Sequence, residues 1–140
     1  MKNSILLILL FVAISCKQNK NNEFENKINR LSFENFLNDH NLKMESFKKI
    51  VIIPNAGCDG CISEAEQKFV DRYESLDTLY VFTRIADLKI FRNTLPKNAL
   101  MSKNVLIDTN GLINSYGFHS MYPSFIEDVS EKTLTAVPYQ

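Results

Sequence analysis

Apolar positions in this chain change period several times, and each change marks an element. The run KKIVIIPN, residues 48–55, is continuously apolar at its centre and ends at Pro54 and Asn55, the pattern of a strand buried on both faces. Residues 62–73 switch to a spacing of three and four, with Ala65, Phe69 and Tyr73 on one stripe and Glu64, Glu66, Asp71 and Glu74 largely outside it. That spacing predicts an amphipathic helix. TLYVFTRI, residues 78–85, predicts a second strand, and DLKIFRNTL, residues 87–95, a helix that Pro96 stops. NVLIDTNGLINSYGF, residues 104–118, reads as a strand, an Asp-Thr-Asn-Gly turn and a short helix or turn ending near Gly117. Residues 124–126 and 133–137 predict a final hairpin. Upstream, Phe24, Ile28, Leu31, Phe33, Phe36, Leu37 and His40 recur at three and four, which predicts helix over 24–40, with Ser32 a candidate cap for a second piece. Helices alternating with strands in this order predict an α/β layered domain around a mixed sheet.

The chain has 140 residues, one domain's worth, with no internal repeat. Its 16 basic and 16 acidic side chains balance, and the sequence pI is near 6.7, so it carries no electrostatic footprint for nucleic acid. The first residues have a different character. MKNSILLILLFVAIS places Lys2 ahead of an apolar run over 5–14, the layout of an export signal, and the run is shorter than the roughly 20 apolar residues a membrane span needs. Residues 13–16, Ala-Ile-Ser-Cys, resemble a bacterial lipobox, with Ala13 where Leu is more usual. The resemblance implies cleavage before Cys16 and a diacylglyceryl thioether on its sulfur. A plain secretory signal or an uncleaved anchor is the alternative. Lys17 in place of Asp leans toward the outer membrane of a bacterial envelope. The expected division is a signal peptide over 1–15, a polar tether and helix start over 16–31, and the folded domain over 32–140.

With Cys16 consumed by lipid, the extracytoplasmic protein keeps two thiols, Cys58 and Cys61, in a setting where a disulfide persists. The pair sits at the junction between the apolar strand and the helix after it. There, unpaired N–H groups and the helix dipole favour a Cys58 thiolate, and Cys61, one turn on, is placed to resolve a mixed disulfide. Other readings need more ligands or less chemistry. A structural zinc site wants four Cys or His ligands, and only His40 and His119 are available to join; covalent haem needs His after the second cysteine, where Ile62 stands. A passive staple remains open, although a two-residue disulfide loop removes little chain entropy.

The strand, CxxC and helix over 50–70, followed by NVLIDTNGLINSYGFHSMYPSFIED, resemble the thioredoxin-like proteins, in particular the exported TlpA-like and peroxiredoxin-related branch. The resemblance covers most of 33–137. It implies a three-layer α/β sandwich with a central mixed sheet, here lacking the closing C-terminal helix. Asp108 and Gly111 would hold the turn, Tyr116 and Gly117 match the family's "YG", and Pro123 takes the place of its cis-proline. On this match Pro123 and the backbone of Tyr122 bind the extended chain of a client. The implied activity is thiol-disulfide exchange with exported proteins, with Cys58 as nucleophile and Cys61 resolving, an unidentified redox partner, a monomeric state and no cofactor. The chain departs from the family at Gly57, where Trp is usual, and at Asp59-Gly60, where Pro is frequent. Asp59, Glu64 and Glu66 oppose thiolate formation, so Cys58 is expected to be less acidic than in a strong oxidant. A non-catalytic binding lipoprotein with a permanent disulfide is the second reading. A copper site of Cys58, Cys61 and His119 is the third.

Overall fold

The computed structural model describes residues 26–139. The export signal, Cys16 and Phe24 lie outside the described residues. The elements are β1 (Asn26–Asn29), α1 (Arg30–Asp39), β2 (Lys49–Pro54), α2 (Asp59–Arg72), β3 (Thr78–Thr83), α3 (Leu88–Thr94), α4 (Lys97–Leu100), β4 (Val105–Ile107), β5 (Ser124–Ile126) and β6 (Thr133–Pro138), with short 3-10 helices at Met44–Ser46 and Leu112–Tyr116. The six strands form one mixed sheet in the order β1-β6-β5-β2-β3-β4. β2, β3 and β4 pair in parallel; the other pairs are antiparallel.

Residues 50–53 are all buried because β2 is a central strand with a layer on each face. On one face Ile50, Ile52, Leu79 and Val81 meet Phe33, Phe36 and Leu37 of α1, with Ile113 and Phe118 beside them. On the other, Val51, Ile53, Tyr80 and Phe82 meet Ile62, Ala65 and Phe69 of α2 and Phe91 and Ala99 of α3 and α4. The result is a helix, sheet and helix layering. Burial pushes the Tyr80 hydroxyl up to about 12, so it stays protonated inside this second core. Among the described residues no helix is long and apolar enough to cross a membrane.

The predicted helix over 24–40 is corrected in its first half. Residues 26–29 are a strand, with Ile28 opposite Leu134 of β6, and the helix starts only at Arg30. Asn29 is its cap: the Asn29 Oδ1 accepts from the Ser32 N–H at 3.1 Å, so Ser32 supplies the donor rather than the cap. Leu31, which completed the helical spacing with Ile28, is 65% exposed. Pro96 stops α3 as expected and also serves as the N-cap of α4.

One buried side chain ties the α2–β3 turn to β4. The Asn104 amide donates to the carbonyls of Tyr73, Ser75 and Thr78 at 3.0, 3.1 and 2.9 Å, and its Oδ1 accepts from the Ser102 hydroxyl. Asn104→Ala removes one donor from each of three carbonyls at once, of which that of Ser75 keeps the Thr78 N–H. Chemical unfolding is expected to show a loss of about 2–3 kcal/mol; a change below about 0.5 kcal/mol would mean that water replaces the amide.

Candidate functional site

β2 and β3 run in parallel and end side by side, so the segments leaving them meet at one end of the sheet. The Asn55 N–H donates to the Thr83 carbonyl at 2.8 Å, which extends the pairing of β2 and β3 one step past Pro54. Cys58 is the N-cap of the 14-residue helix α2, and its carbonyl accepts from the Ile62 N–H at 2.9 Å. Its sulfur makes no capping bond. Instead Cys58 and Cys61 form a disulfide, with Sγ–Sγ 2.08 Å and Cα–Cα 5.3 Å. Both cysteines are half-buried. The placement that the sequence predicts for Cys58, at the start of the helix after the central strand, is the one observed.

The loop ahead of β5 touches the residue before Cys58 through Met121. Gly57 adopts φ +148°, and a Cβ built there would lie 2.2 Å from the Met121 carbonyl oxygen. Only glycine fits so near a backbone carbonyl at that φ. Met121 immediately precedes Tyr122 and Pro123 in the chain. Pro123 is buried, and its carbonyl accepts from the Tyr139 N–H at 2.8 Å. The described residues contain no cis peptide bond, so the Tyr122–Pro123 bond is trans, which corrects the expectation of a cis-proline at this position. Ser120 engages the Tyr122 backbone from both sides: its Oγ accepts from the Tyr122 N–H and donates to the Tyr122 carbonyl, each at 3.0 Å. Ser124 Oγ donates to the same carbonyl at 3.0 Å.

Arg84, like Ser120, was not foreseen from sequence. Arg84, the first residue after β3, holds φ +56°, and its Nη1 donates to the Ser120 carbonyl at 3.4 Å. A non-glycine residue in the left-handed region carries a conformational cost, which marks a position fixed by its surroundings. Asp108 was expected to hold a turn, and it does more. Its carboxyl oxygens accept from the Leu112 N–H at 2.8 Å, the Ile113 N–H at 3.0 Å and the Thr83 hydroxyl at 3.0 Å. Gly111 completes the turn at φ +63°. Thr83 is thus held from below by Asp108 while its carbonyl receives the Asn55 N–H.

The remaining candidates lie apart from the cysteines. Tyr116 stacks near Phe36 of α1 and donates its hydroxyl to the Asp39 carboxylate at 2.8 Å, and this bond raises the Tyr116 hydroxyl above its ordinary range. His40 packs edge-on to Phe36 at 5.1 Å, and its Nε2 has no hydrogen-bond partner among the described residues. His119 is exposed, and its N–H donates to the Asn26 side chain of β1 at 3.4 Å. Among the described residues no group of three His, Cys, Asp or Glu converges on a metal position, so His119 is not brought to the cysteine pair.

The electrostatics of the cysteine end are mixed. The N-terminus of α2 favours negative charge on Cys58, and Asp59 in its first turn opposes it. Glu64 is paired with Lys68 at 2.8 Å, and burial raises the Glu66 carboxyl above its ordinary range. Chemically, the arrangement offers a half-buried disulfide at a helix start, with Gly57 before it in contact with a loop that bends at residues 121 and 122. The chain matches no protein-family model, no curated protein and no solved structure.

Proposed function

We propose that this protein is an exported, lipid-anchored thiol-disulfide oxidoreductase with a thioredoxin-like domain. The observation that carries the reading is the Cys58–Cys61 disulfide, half-buried at the N-terminus of α2 and directly after Gly57, which meets the Met121 carbonyl. The thioredoxin-like identity rests on the element order around it, in which the CxxC follows a central strand and a hairpin comes last. The anchor rests on the lipobox-like residues ending at Cys16, and on this reading the protein belongs to a bacterial cell envelope, with the outer membrane favoured.

The exchange balances without a cofactor, because the disulfide is itself the redox group. With the pair reduced, the Cys58 thiolate attacks one sulfur of a client disulfide; the client S–S bond breaks, a mixed disulfide forms and one client thiolate leaves. The Cys61 thiolate then attacks Cys58 Sγ, expels the second client thiolate and closes the Cys58–Cys61 bond. The client gains two electrons and two protons, and the reverse sequence oxidises a client dithiol. Pro123 and the Tyr122 backbone flank the client chain, which competes with Ser120 Oγ for the Tyr122 N–H and carbonyl. The partners are exported protein thiols or disulfides and a redox protein that resets the pair.

Asp59, Glu64 and Glu66 near the helix start favour a second reading, a binding lipoprotein with a permanent disulfide. The reduction potential of the full chain in neutral detergent, equilibrated with dithiol buffers, separates the two. A value within about −120 to −270 mV supports exchange, and one below about −300 mV marks the bond as structural. In the first case Cys61→Ala is expected to hold clients as mixed disulfides through Cys58, detected by mass spectrometry after acid quenching.

A further inference from the structure

The sheet ends at β4, and the helices over it leave that edge incompletely covered. α4 has four residues and buries only Ala99; Leu100 stays half-buried and Met101 is 85% exposed. Beside them, Leu88 of α3 and Ile107 of β4 complete an apolar floor, and the groove above it has a volume of about 640 Å³. That size lies within the range of small-molecule sites, roughly 300–1,000 Å³.

The rim of this groove carries one sign of charge. Lys89, Arg92 and Lys97 line it, and no carboxylate does. Among the described residues none of the three has an ion-pair partner; the ion pairs, Arg30–Glu34, Lys49–Glu127 and Lys68–Glu64, lie elsewhere. The nearest acid along α3, Asp87, is committed to the helix start, where its carboxylate accepts from the Lys89 and Ile90 N–H groups at 2.8 and 2.9 Å. In a chain of zero formal net charge, three unpaired cations around one apolar recess are a local segregation rather than an effect of composition.

We propose that the groove between α3, α4 and the end of β4 binds a single-chain alkyl carboxylate. The alkyl chain lies on Leu88, Leu100, Met101 and Ile107, and the head group meets Arg92 and Lys97, whose unpaired donors match a carboxylate. Apolar floor and cationic rim together select an anionic amphiphile over a neutral one. The site is independent of the redox reading, since none of its residues belongs to the cysteine end.

The test uses the full chain in phosphatidylcholine nanodiscs, irradiated with a diazirine-bearing dodecanoate and mapped by mass spectrometry. Label is expected within residues 88–107, competed by unlabelled carboxylates whose strength rises up to about fourfold per added methylene from octanoate to dodecanoate. Arg92→Glu/Lys97→Glu is expected to reduce the label by about tenfold, while Arg92→Lys/Lys97→Arg retains it. Met101→Glu, at an exposed position, provides a second variant with the same expected loss should the double variant fail to fold. Equal labelling by the matching diazirine alcohol, label spread over the surface, or label unchanged by both charge-altering variants would overturn the assignment.

Discussion

Asp108→Ala is expected to lower the unfolding free energy by about 3–5 kcal/mol, read from urea or thermal unfolding of the otherwise unchanged chain. Asp108 is 1% exposed, and its carboxyl receives two backbone N–H groups of the Leu112–Tyr116 turn and the Thr83 hydroxyl. Alanine leaves the Thr83 hydroxyl and the Ile113 N–H buried without a partner, while the Leu112 N–H is part-buried. Asp108→Asn keeps one acceptor oxygen and turns an NH₂ toward N–H donors, so its loss should fall between alanine and the native chain. Asp128 provides the contrast. It also accepts from a backbone N–H, that of Ser130 at 2.8 Å, but at an exposed site, so Asp128→Ala should change stability by less than about 1 kcal/mol. The effect reaches the cysteine end through Thr83, whose carbonyl holds the Asn55 N–H three residues before Cys58. A loss below about 1 kcal/mol for Asp108→Ala would show that the turn is held by its own backbone bonds.

The central strand and the cysteine end were legible in the sequence because local signals agree there. Residues 50–53 form an unbroken apolar run, Pro54 and Asn55 stop it, and the stripe of Ala65 and Phe69 starts a helix immediately after. The first strand was not legible. β1 has four residues with one buried side chain, Ile28, and it exists because β6, more than a hundred positions later, supplies its partner. No local period reports such a pairing, and the chance spacing of Ile28 to Leu31 extended a helical pattern over it. Arg84 and Ser120 escaped notice for a related reason. Their roles come from contacts between the end of β3 and the loop before β5, which are adjacent only in the folded sheet. His119 is a ligand candidate by residue type, but its backbone bonds to Asn26 of β1. The general layering was readable from alternation, and the hydrogen bonds of Arg84 and Thr83 were not, because they join residues far apart in the sequence.

The glycines on either side of Cys58 should respond to alanine with opposite signs. At Gly57 a Cβ meets the Met121 carbonyl oxygen at 2.2 Å and the Met121 Cβ at 3.1 Å, and φ +148° is a region that side chains avoid. The obstacle is backbone, so no rotamer change removes it. Either the 120–123 loop moves away or the segment 55–58 does. The combined strain and overpacking predict a loss of about 3 kcal/mol for Gly57→Ala. At Gly60, inside α2, nothing lies within 4 Å of an added Cβ and φ is ordinary, so Gly60→Ala should be neutral or stabilising by up to about 1 kcal/mol. Both substitutions sit within two residues of Cys58, so a general sensitivity of the cysteine loop would make both destabilising. Opposite signs in parallel urea titrations would instead tie the cost to the contact between Gly57 and Met121. Under the exchange reading the same contact sets how near Tyr122 and Pro123 stand to Cys58. Gly57→Ala should then slow disulfide exchange with a protein client far more than reduction by a small thiol such as dithiothreitol, which needs no client-binding loop. Equal slowing by both reductants would place the defect in the disulfide itself and remove the 120–123 loop from the client-binding surface.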